Sequence, residues 1–264
     1  MKLLKQPLIE KCLHALSRQR TWHMSFNTSG STGKPKGVMI PHKALTNFLV
    51  SMGETPGLTA EDKMLAVTTY CFDIAALELF LPLIKGAHCY ICQTEHTKDV
   101  EKLKRDIRAI KPTVMQATPA TWKMLFYSGW ENEESVKILC GGEALPETLK
   151  RYFLDTGSEA WNMFGPTETT IWSAVQRINV ECSHATIGRP IANTQIYITD
   201  SQLAPVPAGV PGELCIAGDG VAKGYYKKEE LTDSRFIDNP FEPGLSFIER
   251  ETWPVGLREG ELNI

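Results

Sequence analysis

Short apolar segments alternate with amphipathic ones between residues 63 and 164, and this alternation restricts the possible folds more than any other feature of the chain. The apolar segments have the composition of buried strands, and they span residues 63–69, 87–92, 113–117, 137–140 and 161–164. Helical patterns separate them, at residues 71–80, 99–110, 119–125 and 147–153. Strands and helices that alternate at this spacing favour a mostly parallel sheet covered by helices. Ligands of such sheets bind beyond the carboxyl ends of the strands, so the loops there are the candidate functional segments.

The composition is that of an ordinary globular domain. Of the 264 residues, 42% are hydrophobic and 22% are charged, and the net charge is -3, so no basic excess points to nucleic acid or an anionic membrane as a partner. No segment has the apolar length of a membrane span, and the first residues lack the apolar core of a signal peptide. Seven scattered cysteines fit reduced thiols. We therefore expect a cytoplasmic enzyme.

Two of the cysteines, Cys89 and Cys92, have the CxxC spacing of some metal sites. The residues between them belong to a predicted strand, and no second cysteine pair or nearby histidine completes the motif. We predict no metal site there.

Residues 28–38 combine glycines, hydroxyl side chains and two lysines in one short loop. Glycine lets the backbone approach a ligand closely, hydroxyl and amide groups donate hydrogen bonds to anionic oxygens, and lysine adds a positive charge. This combination suits a nucleotide triphosphate, although a flexible linker between strands has a similar composition. The common P-loop is excluded, because Gly30 and Gly33 stand too close together and Pro35 follows Lys34. A short apolar stretch after the loop predicts a strand, so that the loop would form the lid of a hairpin.

This loop closely resembles the signature of the adenylate-forming enzymes, Thr-Ser-Gly-Ser-Thr-Gly-x-Pro-Lys-Gly-Val, at every position. Four further segments match the same family in the same order: Phe72-Asp73 with Glu78, Gly141-Gly142-Glu143, residues 164–169, and residues 212–225. Within the superfamily, these segments are most similar to the amino-acid adenylation domains of nonribosomal peptide synthetases, and the similarity covers residues 28–243. The resemblance implies ATP-dependent activation of an amino acid as an aminoacyl-adenylate, for loading onto the phosphopantetheine of a peptidyl carrier protein.

The resemblance also implies the fold and its division. An α/β fold is expected, the N-terminal core of an adenylate-forming enzyme, in which helices flank parallel sheets. The AMP-binding core would span residues 28–190 and a small β-rich subdomain residues 191–246. Residues 1–27 would be a degraded or truncated N-terminal segment and residues 247–264 an aberrant tail, with the mobile C-terminal subdomain of the family absent.

Particular residues are implied as ligands of ATP and Mg²⁺. The phosphates would be held by Thr28, Ser29, Gly30, Ser31, Thr32, Gly33, Lys34 and Lys36. The adenine side of the nucleotide would be bound by Gly142, Glu143, Ala144, Asn162, Phe164 and Gly165. Thr167 would bond a phosphate oxygen and Glu168 would hold Mg²⁺, a hard ion that prefers oxygen ligands. The substrate carboxylate would attack the α-phosphorus and release pyrophosphate, with Lys36, Thr167 and Glu168 as catalytic residues that position groups and neutralise charge.

The same family lines its substrate pocket from nine positions, which are here Asp73, Ile74, Leu77, Gln116, Leu139, Gly141, Met163, Ile171 and Trp172. In isolation Asp73 would be interpreted as a helix cap, but at its position these enzymes pair the α-ammonium of an amino acid. The bulky Leu77, Leu139, Met163 and Trp172 would fill the space of a side chain, and one methylene discriminates by about 1–3 kcal/mol. The set is similar to those of glycine-activating domains, so glycine or another small amino acid is the predicted substrate. The alternatives are a starter domain that activates an aryl acid and an inactive nucleotide-binding remnant.

Two segments depart from the family pattern. Near residue 247 the family has Tyr-Arg-Thr-Gly-Asp, whose aspartate binds the ribose of ATP, but residues 247–256 are Phe-Ile-Glu-Arg-Glu-Thr-Trp-Pro-Val-Gly. The codons TTT ATA GAA CGG GAG ACT TGG CCC GTT GGT for this segment, read from the third base, encode Tyr-Arg-Thr-Gly-Asp-Leu-Ala-Arg-Trp. In the same way, CGA ACT TGG CAT ATG TCA TTT for residues 20–26 yields Asn-Leu-Ala-Tyr-Val-Ile, the apolar strand that the family has before the loop. Our hypothesis is that both windows are out of frame, each flanked by compensating single-base changes.

Both departures have consequences for the chain as written. Without the ribose aspartate, we expect little or no adenylate formation. We also expect lower stability, because a buried parallel strand needs a continuous apolar run that residues 22–26 do not supply.

Sequencing of the coding DNA across residues 20–28 and 245–257 tests the frame hypothesis. We expect the codons of both windows, read in the shifted frame, to encode the two family segments. Corrected reads that restore them would identify a misread gene for a working domain, and reads that keep the printed frame would identify genuine mutations. Codons that encode neither segment in any frame would contradict the hypothesis.

Overall fold

The computed structural model describes residues 22–28, 36–180, 185–242, 246–249, 256–258 and 261–263. Its strands are β1 (Trp22–Thr28), β2 (Lys36–Pro41), β3 (Lys63–Ala66), β4 (His88–Ile91), β5 (Val114–Ala117), β6 (Lys137–Gly141), β7 (Ala160–Phe164), β8 (Ala174–Arg177), β9 (Thr186–Pro190), β10 (Thr194–Thr199), β11 (Glu213–Gly218), β12 (Phe236–Asp238), β13 (Ser246–Glu249), β14 (Gly256–Arg258) and β15 (Glu261–Asn263). Its helices are α1 (His42–Met52), α2 (Ala75–Lys85), α3 (Thr94–Thr97), α4 (Val100–Ile110), α5 (Pro119–Tyr127), α6 (Glu147–Asp155) and α7 (Glu229–Arg235).

A nine-stranded sheet with the order β14-β15-β9-β8-β7-β6-β5-β3-β4 forms the centre of the fold. The neighbouring strands from β4 to β7 are parallel, and β8 and β9 join them antiparallel. Helices α2, α4, α5 and α6 each connect two successive parallel strands, as parallel pairing requires. The predicted α/β architecture is confirmed. All the parallel strands end at the same edge of the sheet.

The inner parallel strands β3, β5, β6 and β7 are largely buried on both faces, because successive side chains of a strand point to opposite sides and helices cover each side. The edge strand β4 is only partly buried. In β3, Met64 packs in one apolar cluster and Leu65 in another, and Leu139 and Ile138 of β6 divide in the same way. Helices α1 and α2 cover the first cluster, whereas α4, α5 and α6 cover the second. Burial on both faces is the reason that these strands are continuous apolar runs in the sequence.

Local signals set the ends of the helices. Asp99 caps α4, because its Oδ1 accepts hydrogen bonds from the backbone N–H groups of Glu101 and Lys102. Helix α2 ends at Gly86, whose φ of 73° is left-handed. The helix predicted over residues 71–80 begins later, since residues 71–74 form turns before Ala75. Among the described residues, no helix has both the length and the apolar character that crossing a membrane requires.

A four-stranded antiparallel sheet, in the order β10-β11-β13-β12, forms the β-rich part of the chain. Strand β13 runs across the boundary that the sequence predicts between residues 246 and 247, and its Phe247 and Ile248 are buried. Strand β15 pairs with β9, so Leu262 lies opposite Gly188. Segments of the predicted aberrant tail therefore extend both sheets.

The hairpin of β1 and β2 differs from one expectation. The family pattern implied a buried parallel strand at residues 22–26. Within the described part of the chain, β1 instead pairs antiparallel with β2 and with no other strand, from Trp22 opposite Pro41 to Thr28 opposite Lys36. The parallel assignment was wrong, because pairing across a short loop makes neighbouring strands antiparallel. The hairpin around the glycine-rich loop agrees with the prediction for residues 28–41.

Truncation of Phe247 tests whether β13 is an ordered strand. The ring is fully buried against Tyr197 and Phe241, so Phe247→Ala should lower the free energy of unfolding by about 3–5 kcal/mol. Urea denaturation measures the change, and Tyr70→Ala, at an exposed aromatic side chain, is the control with an expected change below about 0.5 kcal/mol. Equal stability of Phe247→Ala and the unmodified chain would show that the segment does not pack in the sheet.

Candidate active site

Loops that follow the parallel strands converge at one edge of the sheet and carry most of the predicted site residues. Asp73 follows β3, Gly142 follows β6, and Thr167 and Glu168 follow β7. The segment after β11 reaches the same edge, because the backbone N–H of Ala222 donates to the carbonyl of Glu168 at 2.8 Å. The sheet therefore brings together side chains that are far apart in the sequence, as expected for parallel strands.

The predicted phosphate loop is only partly described. Ser29, Gly30, Ser31, Thr32, Gly33 and Lys34 lie outside the described residues. Thr28 and Lys36 are paired at the end of the hairpin, so the loop between them joins β1 to β2.

Lys36 makes the central polar contact of the site. Its Nζ lies 2.9 Å from Oε1 of Glu168 and donates to the hydroxyl of Tyr225, also at 2.9 Å. The same hydroxyl donates to Glu168 Oε1 at 2.8 Å. The ammonium also lies 4.3 Å from the centre of the Tyr225 ring, within range of a cation–π contact. Two predicted catalytic residues, Lys36 and Glu168, are thus in direct contact.

The charge of Glu168 is stabilised despite its burial. Burial disfavours the carboxylate, but the Lys36 ammonium and the Tyr225 hydroxyl outweigh this effect and lower the pKa of Glu168 below its ordinary value. Tyr225 is not among the site residues that the sequence predicts. Only its position at the end of the matched segment at residues 212–225 could have indicated a role.

Asp73 and Thr167 form the second polar contact. Thr167 donates its hydroxyl to Asp73 Oδ2 at 2.5 Å, and Oδ1 accepts from the backbone N–H of Ile74 at 2.8 Å. Burial raises the pKa of Asp73 above its ordinary value, and the nearby charge of Glu168 acts in the same direction. Asp73 is not the N-cap of α2, because Ile74 holds that position. Its carboxylate is instead oriented toward the loop that follows β7.

The loop after β7 has a constrained backbone. Thr170 and Ile171 have φ values of 62° and 76°, which are left-handed and unfavourable for branched side chains. The hydroxyl of Thr170 donates to the carbonyl of Gly220 at 2.6 Å and fixes this conformation. A Cβ on Gly165 would lie 2.3 Å from the carbonyl oxygen of Ile171, so glycine is required where the loop folds back on itself. The backbone that leads to Trp172 is therefore held in one conformation.

The predicted substrate pocket is an apolar cluster. Six of its predicted residues are buried in the cluster that α1 and α2 cover: Ile74, Leu77, Leu139, Met163, Ile171 and Trp172. A Cβ placed on Gly141 would lie 2.7 Å from Cη2 of Trp172 and 2.5 Å from the carbonyl oxygen of Met163. The indole ring therefore occupies the space next to Gly141. Gln116 is buried beside it and accepts a hydrogen bond from Trp172 Nε1 at 2.9 Å.

Residues predicted on the adenine side lie elsewhere around the same edge. Gly142, Glu143 and Ala144 are exposed after β6 and accessible to a ligand. Asn162 and Phe164 alternate with Met163 along β7, so they face away from the substrate pocket. The amide of Asn162 donates to the carbonyl of Thr186 at 2.6 Å, and the ring of Phe164 packs against the cluster of the smaller sheet.

The residues present fit a magnesium ion. Glu168 supplies a carboxylate whose pKa is lowered, so that it stays ionised and available to a hard cation. Lys36 is close enough to share this carboxylate with an ion and to reach bound phosphates. Glu168 is therefore the residue that would hold Mg²⁺, which when bound neutralises phosphate charge.

One group of possible metal ligands was missed by the sequence analysis. The ligand atoms of Cys92, His96 and Asp106 lie within 4.8 Å of one another, because the turn after β4 brings His96 back toward Cys92. The expectation that no histidine lies near Cys92 was wrong. Both His96 Nδ1, at 2.5 Å, and the Cys92 thiol, at 3.5 Å, bond Asp106 Oδ2. Burial and Asp106 raise the pKa of Cys92 to about 12, so the three groups satisfy one another as a hydrogen-bonded set.

The Lys36–Glu168 pair predicts a pH-dependent stability. Because folding lowers the pKa of Glu168, the ionised carboxylate contributes to the free energy of unfolding. This contribution is complete at pH values above 4.5, the ordinary pKa, and is lost as the pH falls through the pKa of the folded state. In Lys36→Met the ammonium no longer offsets the burial of Glu168, so the pKa of Glu168 rises. The stability lost in Lys36→Met should therefore be larger at pH 7 than at pH 4, as measured by urea denaturation at both pH values. Lys43→Met, which breaks the exposed pair with Asp219, is the control, and an equal loss at both pH values in Lys36→Met would contradict the account.

Comparisons with known proteins identify the family of the chain. Residues 24–226 match the profile of the family described as AMP-binding enzyme. The dimodular nonribosomal peptide synthase of Bacillus subtilis strain 168 is 48% identical over 217 residues, which cover 82% of this chain and 9% of that protein. Tyrocidine synthase 3 of Brevibacillus parabrevis is 42% identical over 224 residues, which cover 82% of this chain and 3% of that protein. The chain thus spans less than a tenth of either relative.

Solved structures share the fold. A four-domain nonribosomal peptide synthetase bound to AMP and glycine is 42% identical, with a TM-score of 0.85 over 90% of this chain and 18% of that chain. The N-terminal subdomain of Klebsiella oxytoca NpsA, in complex with 3-hydroxybenzoyl-AMSN, has the same fold at 24% identity, with a TM-score of 0.79 over 91% of this chain and 61% of that chain. The chain therefore belongs to the AMP-binding enzyme family, among the adenylation domains of nonribosomal peptide synthetases.

Proposed function

We propose that this domain activates glycine, using ATP to form glycyl-adenylate for loading onto a peptidyl carrier protein. One observation carries the proposal: the indole of Trp172 occupies the space next to Gly141, where a Cβ would lie only 2.7 Å from the ring. The same buried cluster contains Leu77, Leu139 and Met163, whose side chains reduce the space beside Gly141 further. A pocket filled in this way leaves room for an amino acid that lacks a side chain. The relative that is bound to AMP and glycine supports this choice.

Asp73 is the proposed partner of the substrate ammonium. Its carboxylate is half-buried, and Thr167 is its side-chain hydrogen-bond donor. Burial without a cation raises the pKa of Asp73, so a positive group in contact with it would stabilise the ionised form. An α-ammonium fits this position, which favours an amino acid over a carboxylic acid without an amine.

Charge neutralisation and positioning are the proposed chemical contributions of the protein. The substrate carboxylate attacks the α-phosphorus of ATP, and pyrophosphate leaves. Lys36 and Thr167 would bond phosphate oxygens, and Glu168 would hold Mg²⁺. No protein side chain needs to act as a nucleophile, since the substrate supplies its own carboxylate. ATP binding would compete with Glu168 for the Lys36 ammonium.

Activation of an aryl acid is the less favoured alternative. A planar ring would overlap the space that Trp172 fills, and an aryl acid without an amine would leave Asp73 without a charged partner. The NpsA structures with aryl ligands are 24% identical to this chain and support the shared fold alone.

An inactive remnant is the second alternative. Residues 247–256 lack the aspartate that the family uses for ribose, and Phe247 of this segment is instead buried in the β-rich sheet. Because turnover is lost in such a remnant, binding of substrate analogues tests the substrate preference more directly than adenylate formation does. Pyrophosphate exchange that depends on glycine would support an enzyme, whereas binding of ATP without exchange would support a remnant.

Calorimetric titration with adenylate analogues, in which a sulfamoyl group replaces the phosphate, tests the proposed substrate. The glycyl analogue should bind more tightly than the alanyl analogue by roughly 10–200-fold, because one extra methylene meets the Trp172 ring. The benzoyl analogue should bind more weakly still. Equal or tighter binding of the alanyl or benzoyl analogue would exclude glycine as the preferred substrate.

Trp172→Ala should open the pocket and remove this preference. The glycyl and alanyl analogues are then expected to bind within about threefold of each other, because the ring no longer meets the added methyl group. Trp122→Ala is the matched control, since Trp122 is equally buried but lies in the cluster on the other face of the sheet. A preference for glycine that survives in Trp172→Ala would show that another group limits the pocket.

A further inference from the structure

Beneath the pocket, a buried carboxylate belongs to none of the predicted site residues. Glu78 of α2 is completely buried, and its Oε1 accepts hydrogen bonds from Gln116 Nε2 at 2.8 Å and from the Thr68 hydroxyl at 2.5 Å. Its Oε2 accepts from the backbone N–H of Thr68 at 3.0 Å. Burial of a carboxylate is costly unless such donors compensate for lost water. Burial also raises the pKa of Glu78 to about 7.

The amide of Gln116 links Glu78 to the pocket wall. Its Nε2 donates to Glu78 and also to the carbonyl of Ile74 at 2.8 Å, while its Oε1 accepts from Trp172 Nε1 at 2.9 Å. A flipped amide would place its oxygen against two acceptors and its NH₂ group against the indole N–H. Because Gln116 is buried, water cannot compensate for those mismatches. Glu78 and Ile74 therefore decide which end of the amide faces Trp172.

The indole ring of Trp172 lies between the Gln116 amide and the proposed substrate pocket. The Nε1 end of the indole is held by Gln116, and the Cη2 end lies over Gly141. Rotation of the ring away from Gly141 would break the Nε1 hydrogen bond inside a buried cluster. The hydrogen bond thus keeps the ring in the position that excludes a side chain.

We propose that Glu78 is a positioning residue, which acts through the Gln116 amide to hold the Trp172 indole over Gly141. Its effect on selectivity rests on the proposed activation of glycine, whereas its effect on the indole N–H does not. A Glu78→Gln side chain has one carbonyl oxygen, so its NH₂ group must face either Thr68 or Gln116 as a second donor. If the NH₂ group faces Gln116, the bond from Gln116 Nε2 is lost. If it faces Thr68, Gln116 keeps a carbonyl acceptor without the charge of the carboxylate, which binds more weakly. Either way the bond that orients Gln116 is weakened while the size of the side chain is kept.

Hydrogen exchange of the Trp172 indole N–H tests the positioning role without a ligand. The signal is assigned by its absence in Trp172→Phe, and exchange is followed by NMR on the full chain. We expect exchange at least tenfold faster in Glu78→Gln than in the unmodified chain. Glu147→Gln, at an exposed carboxylate that pairs with Lys150, should leave the rate unchanged. Unchanged exchange in a folded Glu78→Gln chain would overturn the proposal.

Selectivity for the glycyl analogue over the alanyl analogue is the second readout, measured in a double-mutant cycle. Glu78→Gln should lower the ratio of affinities by about tenfold, which corresponds to the loss of one buried hydrogen bond. Trp172→Phe should lower the ratio at least as much, because it removes the indole N–H and also the Cη2 atom over Gly141. The double variant should show no further loss, because both changes remove the same link. Additive losses would overturn the proposal.

The remaining outcomes separate the two claims. If no analogue binds any variant but exchange still rises in Glu78→Gln, the proposed function fails and the positioning role stands. If Glu78→Gln does not fold, Glu78→Met decides in its place, since it removes the acceptor of Gln116 Nε2 and keeps a side chain of similar length. Unchanged exchange of the Trp172 indole N–H in Glu78→Met would then overturn the proposal.

Discussion

The contact of Lys36, Glu168 and Tyr225 connects the three parts of the candidate site. Lys36 begins the strand after the glycine-rich loop, Glu168 lies in the loop after β7, and Tyr225 ends the segment that follows β11. A buried carboxylate is unfavourable without a partner, and the ammonium and hydroxyl supply one. The backbone bond from Ala222 to the carbonyl of Glu168 holds the same arrangement. Lys36, which directly follows the glycine-rich loop, is therefore held next to Glu168, the residue that we propose as the Mg²⁺ ligand.

The parallel sheet makes this contact and the pocket possible at the same edge. Alternation along β7 places Met163 in the apolar cluster of the proposed pocket and Asn162 and Phe164 on the opposite side. In the proposed function, this one strand would serve both the substrate and the nucleotide. The left-handed backbone at Thr170 and Ile171 then turns the chain so that Trp172 lies over Gly141. In the proposed pocket, the indole of Trp172 would be the closing group, and the constrained backbone before it sets the position of this side chain.

Much of the fold could be predicted because its signals are local. The strands β3, β5, β6 and β7 were recognisable since burial on both faces makes them largely apolar. Helix α4 begins directly after its predicted cap Asp99, and α5 begins at the predicted Pro119. The extension of the smaller sheet by β13 was not recognisable. It depends on long-range pairing, which no local pattern records.

The candidate site was predictable only as a set of positions. The motifs gave Lys36, Asp73, Thr167 and Glu168, but not the bond between Asp73 and Thr167 or the part of Tyr225 in the ion pair. The same applies to Glu78, whose role depends on Gln116 and Trp172 packing against it in the folded chain. Contacts of this kind follow from tertiary packing, which no local sequence pattern records.

A crystal structure of the chain with the glycyl-adenylate analogue tests the central claim most directly. The account predicts the substrate amine about 3 Å from a carboxylate oxygen of Asp73, with the Trp172 indole still over Gly141. An amine that lies away from Asp73, or an indole that has rotated to leave open space beside Gly141, would contradict it.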